Sequence, residues 1–268
     1  MHQHNRQASV LTIAGSDSGG GAGIQADVKT FTAFGLHGLS AVTAITAQNT
    51  RCIIASHCVP ARIVAAQLQA LFDDFDVRAV KIGMLGSATN VGAVARALQN
   101  VKARNIVLDP VLVASSGTPL LSARGLATLR NQLIPLVDVL TPNLPEAMAL
   151  LGRRSLTAAA LRGAAHELLG AGPKAVLLKG GHARGTQISD HLVDANGYCE
   201  FRHARLPLRA HGTGCVLSAA IAAGLALDQP LRQAVSNAEK YLHGALRHSY
   251  RAGKSATQVL ATWTRVHD

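Results

Sequence analysis

The sequence is short of aromatic residues, of charge and of cysteine. Aromatic side chains make up only 3% of the 268 residues. The core must therefore be packed with Ala, Val, Leu and Ile, and small side chains suit helices that lie close on a sheet. Charged residues are 15% and hydrophobic residues 48%, a balance that excludes an intrinsically disordered chain. The four cysteines, Cys52, Cys58, Cys199 and Cys215, contain no C-x-x-C pair. So few in so long a chain argue against a disulfide framework and for reduced thiols in a cytosol. No apolar run approaches the ~18 residues of a membrane span, and Val216–Leu227 is too short. Residues 1–8 are polar and lack the apolar core of a signal peptide, so a cytoplasmic protein with no membrane partner is expected.

Acidic residues are also scarce: 15, against 26 Lys and Arg, for a formal charge of +11. A basic balance favours polyanions. Yet the basic residues are scattered (Arg51, Arg78, Arg104, Arg130, Arg162, Arg205), with no block of about five or more and few aromatics among them for base stacking. Nucleic acid is therefore not expected, and an anionic small-molecule substrate explains the sign more simply. The 12 histidines, among them His166, His182, His191, His203, His211, His243 and His248, show no H-E-x-x-H spacing, so a metal cluster of that kind is not expected.

What is present is alternation. Strand-like runs occur at Val10–Ala14, Leu39–Thr46, Ile53–Val59, Ala79–Met84, Asn105–Val113, Val137–Leu140 and Ala175–Lys179. Several are apolar throughout, as strands buried on both faces are. Helix-like stretches run from Pro60 to Phe72, Ser122 to Leu133, Thr157 to Leu169, Thr213 to Ala226 and Leu231 to His248. Asn196-Gly197 between Ser189–Asp194 and Tyr198–His203 predicts a hairpin at a sheet edge. The rhythm predicts an α/β fold, a mostly parallel central sheet with helices on both faces. With no repeat or Pro/Gly linker, a flexible tail over 1–8 and one domain over 9–268 are expected.

Two glycine-rich turns carry the chemistry. Val10–Ala14 leads into Gly15-Ser16-Asp17-Ser18-Gly19-Gly20-Gly21-Ala22-Gly23, with a helix starting near Ile24. Glycines between strand and helix let backbone approach a ligand, and helix starts favour anions. No Gly-Lys-Ser/Thr follows, which excludes a Walker A loop. Gly21 to Ala26 matches G-x-G-x-x-A, but the second strand ends in Ala47-Gln48-Asn49 rather than the acid that holds a ribose, against a dinucleotide enzyme. The second turn, His211-Gly212-Thr213-Gly214-Cys215, opens an Ala-rich helix. Its unblocked amides make an anion pocket. A thiol in that first turn is expected to have a lowered pKa, although a buried structural cysteine is the commoner fate of this residue.

Asp109 ends an apolar run before Pro110, where parallel sheets bind ligands. Asn143 and Glu146 can hold Mg²⁺ directly or through water, and Glu146 also reads as an ordinary acid of a helix first turn. Lys179, before Gly180-Gly181, reads as a phosphate ligand or as a solvated strand end. Gln48 presents the acceptor and donor that match an aminopyrimidine edge. Met84 and Val111 can sandwich a flat ring or serve as plain core. Asp27 lies one turn into the first helix.

Taken in order, the segments Ala14–Asp27, Thr43–Thr50, Lys81–Leu85, Leu108–Gly117, Thr141–Ala147, Lys179–His182 and His211–Cys215 closely resemble one family. It is the hydroxymethylpyrimidine/phosphomethylpyrimidine kinases of thiamine biosynthesis, in the ribokinase-like superfamily. The resemblance implies a three-layer α/β/α sandwich and two successive ATP-dependent phosphorylations. It implies that Gly15, Asp27 and Gln48 bind the aminopyrimidine, with Met84 and Val111 lining its pocket. Asp109, Asn143, Glu146 and Lys179 would serve ATP, with Asp109 and Glu146 on Mg²⁺. Gly212, Thr213 and Gly214 would form the anion hole, and Cys215 would be the base. A homodimer is also implied. Ser115 and Ala210 stand where many relatives carry other residues, and the tail beyond Ser249 carries no family motif. Pyridoxal-type kinases share Thr141-Pro142-Asn143 and are the nearest alternative; a pyrimidine-binding protein without catalysis is another.

Overall fold

The computed structural model describes residues 7–114, 117–181 and 185–263. Ser115 and His182 thus lie outside the described residues, as does most of the expected tail. A nine-stranded sheet forms the middle layer. Its strands are β1 (Ser9–Asp17), β2 (His37–Gln48), β3 (Ile53–Cys58), β4 (Val77–Ile82), β5 (Ile106–Leu108), β6 (Val139–Leu140), β7 (Ala175–Leu178), β8 (Gln187–Asp194) and β9 (Gly197–Ala204). The spatial order is β3-β2-β1-β4-β5-β6-β7-β8-β9. Pairings from β2 through β7 are parallel, and β3, β8 and β9 join antiparallel at the two edges. The hairpin at Asn196-Gly197 is present, with Gly197 at φ 100°. The chain reverses direction of travel across the sheet between β1 and β4, the place where open α/β sheets bind ligands at their carboxyl edge.

Helices α1 (Gly23–Ala33), α7 (Thr213–Ala226) and α8 (Leu231–Arg247) cover one face, and α2 (Ala61–Asp74), α3 (Ala88–Asn100), α4 (Ala123–Thr128), α5 (Leu144–Leu151) and α6 (Leu161–Leu169) the other. Strand alternation sorts the core accordingly. Leu11, Ile13, Val80, Ile82, Ile106 and Leu108 face the α2–α6 layer, while Val10, Ala79 and Val107 face α7. The same parity turns Thr12, Lys81 and Asp109 toward α1 and α7.

Three departures from the sequence expectation have local causes. The strand expected over Asn105–Val113 is regular only over Ile106–Leu108, because Pro110 offers no N–H and Val111 N turns back to Asp109 O at 2.8 Å. The Ser122–Leu133 helix is α only to Thr128 and widens into a π turn at Leu129–Leu133. α3 was not anticipated; Ser87 caps it by accepting from Asn90 N, and the Asn90 amide donates to Thr43, Val59 and Leu85 carbonyls. That amide locks the segment carrying Met84, whose carbonyl also accepts from Thr43 Oγ1 at 2.5 Å. In the described part of the tail beyond Ser249, β11 (Gln258–Val259) pairs in parallel with β10 (Ala210–His211), immediately before α7.

α7 is buried nearly throughout, with Ala219, Ala220, Ala222 and Ala223 fully enclosed. Its small side chains bring it close to both sheet and α8. A Cβ on Gly224 would stand 2.9 Å from Ala234 Cβ and 3.0 Å from Gln229 Oε1. Gly224→Val should therefore force α7 and α8 apart and destabilise the chain by about 1–3 kcal/mol. The measurement is a urea midpoint at unchanged slope; an unshifted midpoint would mean the two helices separate freely.

Candidate active site

A cavity of about 660 Å³ opens at the carboxyl ends of the parallel strands. One wall is the start of α7. Gly212 precedes the helix at φ 85°, and a Cβ there would stand 2.0 Å from Gly21 O. The two glycine turns thus touch at a separation no other residue allows. The first α7 amide to find a helical partner is Val216 N, on Gly212 O at 2.9 Å. The amides of Thr213, Gly214 and Cys215 precede it at the cavity wall, a donor cluster at the positive end of the helix dipole.

Beside them lies a charged floor. A Cβ on Gly214 would stand 3.2 Å from both Asp109 Oδ2 and Lys179 Nζ, so this glycine lets the acid–lysine pair sit against the amides. Lys179 Nζ donates to Asp109 Oδ1 at 2.7 Å. Asp109 is buried and the Lys179 side chain is only 11% exposed, which contradicts the reading of Lys179 as a solvated strand end; β7 delivers it inward. Burial works against the Lys179 charge, but Asp109 and Glu146 outweigh it and raise its pKa. Glu146 turns out to be both a cap and a cavity residue. Asn143 Oδ1 accepts from Glu146 N at 2.9 Å while Asn143 N donates to Glu146 Oε2 at 2.8 Å, a capping box at the start of α5. Burial, with Asp109 adding repulsion against the pull of Lys179, lifts Glu146 to about 7. Two carboxylates sharing one lysine fit a hard divalent cation, which takes oxygen donors and keeps much of its water.

Gly15, Gln48, Met84 and Val111 also line the cavity, as the family resemblance implied. A Cβ on Gly15 would meet Met84 Sδ at 3.0 Å. Gln48 is held by residues that sequence reading passed over. His211 Nε2 lies 2.8 Å from Gln48 Nε2 and 3.2 Å from Asp17 Oδ2. One ring nitrogen serves the amide as acceptor or the carboxylate as donor, according to the tautomer. Asp17 also shapes the first glycine turn, accepting from Gly19 N at 2.8 Å, Gly21 N at 3.1 Å and Ala22 N at 2.9 Å. Burial opposes its ionisation, but His211 and those amides win and lower its pKa. An Asp inside a Ser/Gly run is an ordinary Asx-turn signal and was legible as such.

Two expectations are corrected. Asp27 does not line the cavity beside Gly15, Gln48, Met84 and Val111. It is fully buried and absent from the cavity wall, because α1 turns it down onto the sheet. There its Oδ2 accepts from Thr12 Oγ1 at 2.6 Å and Lys81 Nζ at 2.8 Å. Lys81, unassigned by the sequence, is equally buried and does reach the cavity. Burial disfavours its charge, yet Asp27, Cys215 and Asp109 raise its pKa. A lysine within the apolar strand Val77–Ile82 was the available signal. The second correction concerns Cys215. Its thiol is not lowered but pushed up to about 11. Burial is the main cause, with Asp27 and Asp109 adding to it, and Lys81 and the Gly23 amide only partly offset them.

A family model described as phosphomethylpyrimidine kinase matches residues 17–260. A hydroxymethylpyrimidine/phosphomethylpyrimidine kinase of Rhizobium meliloti is 49% identical over 241 residues, 89% of this chain and 90% of the relative. Its counterpart in Escherichia coli is 44% identical over 243 residues, 90% of this chain and 91% of the relative. Among solved structures, phosphomethylpyrimidine kinase from Clostridium difficile aligns with a TM-score of 0.80 at 40% identity, covering 90% of this chain and 100% of that one. An ADP complex of Bacillus subtilis pyridoxal kinase aligns at 0.87 and 30% identity, covering 96% and 98%.

The raised thiol makes a direct prediction. In the unliganded chain Cys215 should resist alkylation at neutral pH, with the rate rising through about pH 11. Exposed Cys52 and Cys58 serve as internal standards when peptides are resolved by mass spectrometry. Alkylation of Cys215 at pH 7 as fast as either of them would contradict this environment.

Proposed function

The chain belongs to the phosphomethylpyrimidine kinase family, with the ribokinase-like fold of its structural relatives, and on that premise we propose the following working of its site. It is a kinase that phosphorylates the hydroxymethyl group of 4-amino-5-hydroxymethyl-2-methylpyrimidine and then the resulting monophosphate, with ATP as donor. The observation that carries this reading is the start of α7. Three amides with no helical partner among the described residues, a lysine–carboxylate pair and a thiol meet there at one cavity wall.

Phosphoryl transfer asks the protein for alignment and charge neutralisation more than for covalent help. The amides of Thr213, Gly214 and Cys215 would receive the migrating group. Lys179 would exchange part of its bond to Asp109 for phosphate oxygen. Asp109 and Glu146 would hold Mg²⁺, through water where Lys179 keeps its place, and the ion would supply positive charge to the triphosphate. Gln48, with Gly15, Met84 and Val111, would hold the flat ring, while Asp27 acts at one remove by fixing Lys81. Cys215 would take the hydroxyl proton. In the free chain, burial, Asp27 and Asp109 disfavour its thiolate, so the base is formed only when charge in the occupied site offsets them. We also propose a single kinase domain from residue 9 onward, working in the cytoplasm as a homodimer; the sequence pattern and the family resemblance support this. Among the described residues no helix is long and apolar enough to cross a membrane.

A second reading is favoured by one observation, the overlap with pyridoxal kinases at a TM-score of 0.87. An ATP-coupled assay with the hydroxymethylpyrimidine, its monophosphate and pyridoxal side by side separates the two. The proposal expects turnover of both pyrimidines and little of pyridoxal; preference for pyridoxal would overturn it. The same assay on Cys215→Ala should show the first phosphorylation falling by about 10²–10⁴-fold. The second should fall much less, because a phosphate nucleophile is already largely ionised at neutral pH. Equal losses in both steps would remove Cys215 from the base role.

A further inference from the structure

Behind β7, between the hairpin and α8, lies a second polar cluster that the kinase cavity does not touch. Asp190 on β8, His203 on β9 and Glu239 on α8 each bring one donor atom to within 4.8 Å of the others. His203 Nδ1 stands 3.6 Å from Glu239 Oε2. Asp190 is 3% exposed and Glu239 9%. His203 Nδ1 and Glu239 Oε1 are enclosed, and neither has a hydrogen-bond partner among the described residues. The Nδ1 of His243, one turn further along α8, is enclosed and unpartnered too, and its ring centroid lies 6.3 Å from that of His203. Orphaned buried acceptors cost free energy, and none of these groups serves the phosphoryl-transfer site.

Only two kinds of occupant relieve two carboxylates and an imidazole nitrogen that face one another: a proton or a cation. We propose that Asp190, His203 and Glu239 form a binding site for one divalent transition-metal ion of the Zn²⁺ class, separate from the kinase cavity. An imidazole nitrogen with two carboxylates is a borderline donor set, suited to Zn²⁺ and poorly suited to Mg²⁺. Metal–ligand bonds of roughly 2.0–2.2 Å put tetrahedral ligand atoms about 3.4 Å apart, close to the separation already present between His203 and Glu239. His203, with 21% of its side chain exposed, gives the ion a way in. Water or His243 would complete the shell. The ion would tie α8 and β9 to β8, where Asp190 Oδ1 accepts from Gly180 N at 2.6 Å, next to Lys179. Its role is to brace that strand end, not to touch the nucleotide. A proton is the competing occupant: burial, together with Asp190, lifts Glu239 to about 10.

The test uses the whole chain, stripped with a chelator and dialysed, then titrated with Zn²⁺ against a chromophoric competitor. Mg²⁺ is kept in excess so that Asp109 and Glu146 are not counted. One Zn²⁺ per chain is expected, with a higher thermal midpoint and, on Co²⁺ loading, visible absorption stronger than that of the aqua ion. His203→Ala should weaken binding about 100-fold or more and abolish both signals. Glu239→Gln, which can still donate to Asp190, should fold normally, lose affinity and show no Zn²⁺-dependent rise in midpoint. Zn²⁺ binding by the unmodified chain no tighter than by His203→Ala or Glu239→Gln would overturn the proposal and leave the proton as occupant.

Discussion

The start of α7 lies against the first glycine turn at a separation set by Gly212 and Gly21. A single methyl group on Gly212 would stand 2.0 Å from Gly21 O, and the residue sits at a positive φ of 85°. This contact sets the first amides of α7 at the carboxyl edge of the sheet, with Gly214 against Asp109 and Lys179 at the ends of β5 and β7. It also brings Cys215 within reach of the Gly23 amide. Asp17 holds the opposite side of the contact by accepting from three turn amides. The short β10–β11 pair closes over it, placing Val259 and His211 against Gly21.

Around that contact the electrostatics form one coupled set. Lys81 is matched to Asp27, and Lys179 to Asp109 with Glu146 close by. Both lysines keep their charge in a buried setting because carboxylates surround them, and one carboxylate, Glu146, sits near its titration point at about 7. Such a site holds a nearly balanced charge when empty, and adding a polyanion with its cation changes every member of the set. The high resting pKa of Cys215 belongs to the same logic. Its thiolate is disfavoured by dehydration and by two carboxylates, so in the proposed mechanism the base would form only once the occupied site alters those charges.

Much of this was legible in the residues. Apolar strands alternating with Ala/Leu-rich helices reported the parallel sheet, and the Asn196-Gly197 turn reported its antiparallel edge. The glycine turns marked the ligand site because glycine at those positions has no structural substitute. Residues that line a strand end or a helix start (Gly15, Gln48, Met84, Asp109, Val111, Glu146, Lys179, Cys215) converge on one cavity, as the family resemblance implied. What the sequence could not show was the direction of a side chain on a helix packed against a sheet. Asp27 was read as facing substrate but faces Lys81, since the rotation of α1 is fixed by Ala26 and Phe31 in the core. The Cys215 thiol was misjudged for a related reason. The helix dipole is a local property visible in sequence, whereas burial and the charges of Asp27 and Asp109 come from distant segments. The cluster of Asp190, His203 and Glu239 likewise joins two strands and a helix and leaves no spacing motif.

Gly212→Ala tests most directly whether the α7 amides receive the phosphoryl group. Single-turnover rates should fall by about 10²–10³-fold in both phosphorylations, the loss typical of removing oxyanion donors, and the clash with Gly21 O should also lower the unfolding midpoint without abolishing folding. Both steps running at the unmodified rate in a folded Gly212→Ala protein would contradict it.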